Sequence, residues 1–336
     1  MVWFKFFLCL AVILVAGTKL SRYGDAIAEK TGIGRIWIGL ILIALITSMP
    51  ELATGISSVA LVAKPNLALG TLLGSCMLNL AIIALLDILY RPKPLLSEAS
   101  SRHAASAGLG ILLIAIAGGS ILAGGRISGV AIGWFGVPSI IIVLVYLAGV
   151  RGIFHYERAH PLGALPASPL QYENISKRTV YLGFAVAAIA IIAAGIWLSF
   201  VGDEIAQVTG WGTTFVGSLF LAFTSSLPEV VVAVAALRLA AIDMAVAALL
   251  GSNMFNIAII APVDLFYKQG SILSLAAPEQ LVTIVVAVAM TLIVIAGLRL
   301  RARRKTFAVM SWYAPVLIGL YIFGAYAIFT SGLGTM

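Results

Sequence analysis

Charge is scarce in this chain. Asp, Glu, Lys and Arg make up 10% of its 336 residues, against about 25% in a soluble domain. That leaves too little polar surface to cover a water-facing core. Histidine is rarer still: His103, His155 and His160 are all there are, and each falls in a loop or at the end of an apolar run. A zinc or copper pathway is thereby disfavoured. The two cysteines, Cys9 and Cys76, lie in apolar segments and imply no disulfide framework. Mid-span Asp, His, Lys and Arg are missing, which removes the groups an intramembrane protease would use. The longest polar gap, 151–178, is under 30 residues, too short for a regulatory domain.

Apolar residues, at 62%, are what the chain does have, and mean hydropathy is +1.11. Ten stretches reach bilayer-spanning length, near 3–20, 34–62, 66–89, 105–123, 128–150, 179–200, 211–237, 242–267, 280–298 and 308–330. The first could serve as a signal peptide, but its charged start is only Lys5 and it fits the repeat as a full helix, so it reads as a span. The net charge of +8 reflects topology. With the N-terminus outside, 17 of the 21 Lys and Arg residues fall in inner loops, and only Lys5, Lys64, Arg126 and Lys268 fall outside. The run Arg299–Lys305 reads as an inner-face anchor, and the sequon at Asn174 lies in an inner loop. No nucleic-acid partner is implied; the partners are the bilayer and inorganic cations.

Two motifs are each written twice. Residues 44–51 read ALITSMPE and 222–229 read AFTSSLPE; residues 74–79 read GSCMLN and 251–256 read GSNMFN. The similarity runs on, with 74–90 and 251–267 agreeing at 10 of 17 positions, Asp87 and Asp264 included. Five spans precede the linker and five follow it, and an odd number per half makes the copies inverted. The expected fold is an all-α membrane protein of ten transmembrane helices in two inverted five-helix repeats, N-terminus outside. Residues 1–150 form the first repeat, 151–178 an inner linker and 179–336 the second.

Polar groups at membrane depth are expensive and mark substrate or ion pathways. Pro50 and Pro228 lack an N–H and break the helix one residue before Glu51 and Glu229. Thr47 with Ser48, and Ser225 with Ser226, stand four and three residues before each glutamate, on one helical face. Ser75 with Asn79, and Ser252 with Asn256, form polar stripes on otherwise apolar helices, and Gly70, Gly74 and Gly251 leave room for close approach. Every one of these ligands is an oxygen donor, the set that calcium, magnesium and sodium require. Two central glutamates neutralise one divalent ion, and protons or monovalent cations would compete for the same place. Asp87 and Asp264 read as interfacial helix-end charges, and Cys76 as facing a neighbouring helix.

The paired motifs resemble the two alpha repeats of the cation/calcium antiporter superfamily, most closely the sodium/calcium exchanger membrane region. The resemblance covers the whole ten-span chain and is most specific over 44–79 and 222–256. It implies secondary antiport of Ca2+ for Na+, with Ca2+/H+ exchange as the alternative and a cation channel as a weaker one. It implies no cofactor, a monomer, and a plasma or inner membrane location. Glu51 and Glu229 would bridge the ion positions. Thr47, Ser48, Ser75, Asn79, Ser225, Ser226, Ser252 and Asn256 would complete the shell with the carbonyls of Ala44 and Ala222. The first and sixth spans, carrying Gly17 and Gly195, would slide across the remaining helices. Asn256 stands where some members carry an aspartate, and Cys76 departs from the G-S-N pattern; both leave stoichiometry and co-ion open.

Overall fold

The computed structural model describes residues 1–31, 44–124, 130–159, 176–307 and 309–333. In lipid, a backbone must satisfy its own hydrogen bonds, which selects helices. The helices are α1 (Val2–Thr31), α2 (Met49–Ala60), α3 (Pro65–Leu89), α4 (His103–Ala123), α5 (Val137–Ala159), α6 (Lys177–Thr209), α7 (Thr213–Ser225), α8 (Leu227–Arg238), α9 (Ile242–Phe266), α10 (Glu279–Leu300) and α11 (Tyr313–Leu333). Among the described residues, eight are long and apolar enough to cross a bilayer, and α7 with α8, bent by 45°, bring the number to nine when the pair is counted as one broken span. The first part of the expected second span, 34–43, lies outside the described residues, as do Arg35, Arg126, His160 and Asn174. Exposed Phe4, Phe7, Leu144, Val186, Ile189 and Phe323 turn apolar side chains outward, as suits a lipid solvent.

The repeat-equivalent helices α1 and α6 pack antiparallel. Val2, Phe6 and Ile13 share a core with Leu198, Val201 and Ile205, Ala16 and Leu20 share one with Ala187 and Ile191, and Lys5 Nζ meets Glu204 Oε2 at 2.7 Å. Equivalent helices running in opposite directions are what an inverted repeat produces. The more central helices α3 and α9 cross at equivalent residues. Cys76 Sγ donates to the Asn253 carbonyl at 3.6 Å and Asn253 Nδ2 donates to the Cys76 carbonyl at 3.2 Å. Cys76 therefore does face a neighbouring helix.

Three expectations need correction. Helices α1 and α6 run on to Thr31 and Thr209, well past the stretches 3–20 and 179–200. Lys19, Arg22 and Asp25 are therefore helical, because a helix keeps its backbone satisfied beyond the hydrocarbon. The fifth span starts later, at Val137, because a hairpin of β1 (Ala131–Ile132) and β2 (Phe135–Gly136) precedes it, turning at Gly133 with φ +68°. His155 then belongs to α5 rather than to the linker. Finally, Asp87 and Asp264 do stand at helix ends, two residues before Leu89 and Phe266, but as buried side chains rather than solvent-facing charges. Asp87 accepts from Leu95 N (2.9 Å), Ser311 N (2.7 Å), Ser311 Oγ (2.8 Å) and Tyr313 Oη (2.6 Å). Lys305 donates to the Asp87 carbonyl. Burial pushes the Lys305 pKa below the ordinary lysine value, and Asp87 opposes that shift. Asp264 accepts from Ile272 N (2.6 Å) and Gly136 N (2.9 Å). Each aspartate ties the loop that follows its own helix to a segment of the other half, so a carboxylate is satisfied by amides where water is absent.

A second pair of joints shows how far the repeat holds. Asn66 Oδ1 accepts from Ala277 N at 2.8 Å and its carbonyl from Gln280 Nε2 at 3.1 Å. Exactly equivalent positions carry Asp243, whose Oδ1 accepts from Ser100 N at 2.6 Å and lies 2.9 Å from His103 Nε2. One joint is built from amides and the other from an acid and an imidazole. We expect Asp243→Ala to lower the stability of the detergent-purified protein by about 1–2 kcal/mol, the loss of two part-buried hydrogen bonds. Asp243→Asn with His103→Gln, which copies the amide joint, should melt near the parent temperature. An equal drop in both variants would show that the joint does not contribute in this way.

Candidate functional site

The P-E motifs bend the chain in the same way twice. Residues 44–47 are helical, Ser48 breaks the helix, and α2 restarts with Pro50 in its first turn, where a missing N–H does no harm. Ser48 adopts φ −85°, ψ 12°; Ser226, between α7 and α8, adopts φ −86°, ψ 9°. Both breaks place a glutamate at the start of a new helix, its side chain three residues beyond a serine. In α7 a π-helical turn, Gly217–Leu221, precedes the break. Among the described residues it has no counterpart.

The two breaks meet. Ser226 Oγ donates to Glu51 Oε1 at 2.7 Å and Ser75 Oγ approaches the same oxygen at 3.4 Å, while the two hydroxyls are 3.0 Å apart. Reciprocally, Ser48 Oγ donates to Glu229 Oε1 at 3.1 Å. Each carboxylate is thus held by the serine of the opposite break. Glu51 is 0% and Glu229 3% exposed. Thr47 and Ser225 stand beside Glu229 and Glu51. Their hydroxyls donate to the Ala44 and Ala222 carbonyls at 3.2 and 3.3 Å, which also accept from Ser48 N and Ser226 N, each at 3.0 Å.

What is left over matters as much. Glu51 Oε2, Glu229 Oε2, Ser252 Oγ and both polar atoms of Asn79 and of Asn256 are buried without a hydrogen-bond partner. Stranded oxygens carry a desolvation penalty of about 1–3 kcal/mol each, more when charged. A hard cation with several oxygen ligands at 2.3–2.6 Å would remove that penalty. The structure thus brings together Glu51, Glu229, Ser48, Ser75, Ser226, Thr47 and Ser225. It sets Asn79 and Asn256 one helical turn beyond Ser75 and Ser252 on the adjoining helices, fully buried and unpartnered. Ser252 makes no contact with Glu229 matching that of Ser75 with Glu51.

Close packing fixes the walls. A Cβ on Gly74 would stand 2.4 Å from the Ser218 carbonyl oxygen, and one on Gly70 2.7 Å from that of Thr214. Gly17 lies against the Pro228 ring, and Gly195 against Ala53, Thr54 and the Pro50 carbonyl. The long helices α1 and α6 therefore each touch the break of the opposite half. One signal escaped the sequence reading. Residues 17–32 and 195–210 share G-x-x-L-S-x-x-G-D-x-I-A-x-x-T-G, agreeing at 9 of 16 positions and pairing Asp25 with Asp203. Extending the repeat backward from the P-E motifs would have found it.

Comparison with known proteins identifies the family and the fold. A sequence model of the sodium/calcium exchanger protein family matches residues 1–152 and 179–331, leaving out most of the 151–178 linker. YrbG, an inner membrane protein of Escherichia coli strain K12, is 26% identical over 274 residues, covering 80% of each chain. Among solved structures, YfkE superposes with a TM-score of 0.68 at 19% identity, covering 97% of this chain and 92% of that one. The H+/Ca2+ exchanger CAX superposes with 0.68 at 14% identity, covering 99% and 87%. The sodium-calcium exchanger NCX_Mj superposes with 0.63 at 18% identity, covering 97% and 99%. At such identities the structural likeness speaks for the fold, and the family match speaks for the class of transporter. A helical fold built for lipid, two P-E breaks that exchange serines and a family model spanning both halves agree: this chain is a multi-pass membrane protein of the sodium/calcium exchanger family, within the cation/calcium antiporter superfamily, and not an enzyme.

Proposed function

We propose that the chain is a secondary active antiporter exchanging Ca2+ for Na+ by alternating access to the site between Glu51 and Glu229. The observation that carries this reading is the crosswise pair of carboxylates, each held through Oε1 by the other half's serine and each keeping Oε2 unpartnered. Two carboxylates balance one divalent ion. Ser75, Asn79, Ser252, Asn256 and the carbonyls of Ala44 and Ala222 would fill out an all-oxygen shell. Sodium, which asks for the same ligand type, competes for the same place, and competition at one site is what couples two fluxes. The chain would act as a monomer of ten spans, in repeats 1–150 and 179–336, with its N-terminus outside, as the distribution of Lys and Arg supports.

A second reading exchanges Ca2+ for H+. The unpartnered glutamate oxygens favour it, since a proton also satisfies a buried carboxylate. Proteoliposomes loaded with sodium should take up radiolabelled calcium when diluted into sodium-free medium. Uptake driven by a pH gradient alone, with none driven by sodium, would transfer the assignment to proton exchange. Current passed without any counter-ion would mean a channel.

A further inference from the structure

The halves carry matching glutamates, so each half is a control for the other wherever they differ. Thr54 and Ser58 stand three and seven residues after Glu51, on the same face of α2. Both are wholly buried, and neither hydroxyl has a hydrogen-bond partner. Three and seven residues after Glu229 stand Val232 and Ala236. The second half thus shows that a helix continues from this break and packs without hydroxyls there. A stranded hydroxyl destabilises the fold, so its presence in one half alone points to something that passes and supplies the missing partner.

Helix α6 marks the route. Its Gly195 sits at the level of Pro50 and Thr54: a Cβ there would lie 3.2 Å from Thr54 Oγ1 and 3.3 Å from the Pro50 carbonyl oxygen. Eight residues on, Asp203 Oδ1 lies 3.8 Å from Lys64 Nζ, just past the end of α2. The two helices therefore run side by side from Glu51 to one membrane face. At that face Asp203 Oδ2 accepts from Gln207 Nε2 at 2.6 Å, while Oδ1 is buried and has no hydrogen-bond donor. From the site outward the seam offers carboxylate, hydroxyl, hydroxyl, carboxylate.

We propose that the α2–α6 seam is a one-sided cation track joining the Glu51 site to the membrane face that carries Lys64. Thr54 and Ser58 replace hydration oxygens of a hard cation on its way to Glu51, and Asp203 collects that cation at the mouth by exchanging its ion pair with Lys64. The run from Glu229 toward Arg238 has only carbon at the two intermediate positions, Val232 and Ala236. The two faces therefore cannot load the site by mirror-image routes. This rests on the cation-site reading above.

The test uses the full chain in proteoliposomes at subsaturating calcium, with calcium binding measured separately by calorimetry in detergent. Membrane sidedness is assigned by labelling Lys64→Cys with an impermeant thiol reagent, because Cys9 and Cys76 are both buried. Thr54→Val with Ser58→Ala copies the other half. Equilibrium calcium affinity should stay within about twofold of the parent, while the half-saturating calcium concentration for uptake from the Lys64 side rises about tenfold and that for uptake from the opposite side does not rise. Asp203→Asn, which keeps the shape of the mouth, should raise the half-saturating calcium concentration from the Lys64 side alone. An unchanged half-saturating concentration in both variants, or an equal rise from both sides, overturns the track. Glu51→Gln separates this from failure of the underlying reading: if it still binds calcium like the parent, the cation site itself is wrong.

Discussion

Glu51→Gln and Glu229→Gln should each abolish calcium flux while leaving the fold intact. Glutamine keeps the length of the side chain and a carbonyl oxygen to accept Ser226 Oγ or Ser48 Oγ, so the crosswise contacts survive. What is lost is one of two negative charges in a place without water. At an effective dielectric of about 20, a pair of unit charges ~4 Å apart is worth ~4 kcal/mol, already about a thousandfold in affinity, and a divalent ion doubles that energy. Removing a buried, half-satisfied carboxylate should hold or raise the melting temperature of the protein in detergent. Loss of uptake with an unchanged melt is therefore the expected pair of results. Uptake near the parent level in either variant would remove that residue from the site.

Gly74→Ala is expected to disable the protein by a different route. The added methyl would stand 2.4 Å from the oxygen and 2.5 Å from the Cα of Ser218. Those are backbone atoms of the π-helical turn, with no flexible side chain to swing aside. Helices α3 and α7 must separate, and with them Ser75 and Ser226, whose hydroxyls now meet at 3.0 Å. Overpacking of this kind costs about 1–3 kcal/mol, and the flux should fall at least about tenfold. The repeat supplies the control. Gly251 is equivalent to Gly74, but a Cβ there would sit 3.5 Å from the Ala44 methyl, an ordinary contact. Gly251→Ala should transport and melt like the parent. Equal damage from both substitutions would show that the steric account is wrong.

The polar cluster was legible from sequence because the chain repeats itself. Glu51 and Glu229, the prolines before them and the serines three residues earlier were found by spacing, and the structure brings them into one cluster. That each glutamate takes its donor from the opposite half was not legible, since spacing within a helix says nothing about which helix it faces. The ends of α1 and α6 were missed because hydropathy reports the thickness of the hydrocarbon, whereas helix length depends on what packs beside it. The burial of Asp87 and Asp264 was missed for a related reason. A carboxylate at the end of an apolar run usually meets water, but here Leu95, Ser311 and Tyr313, or Gly136 and Ile272, are brought to it by loops distant in sequence. The π-helical turn left no trace in the pattern of polar and apolar residues.

The exchange of serines makes each half dependent on the other. A protein made of residues 1–150 alone would own Glu51 but lack the hydroxyl of Ser226 that steadies it, and residues 179–336 alone would own Glu229 without Ser48. Neither fragment contains a finished cage. A half-length chain could complete this arrangement only as two copies in opposite orientation about a two-fold axis, each lending its serine to the other's glutamate.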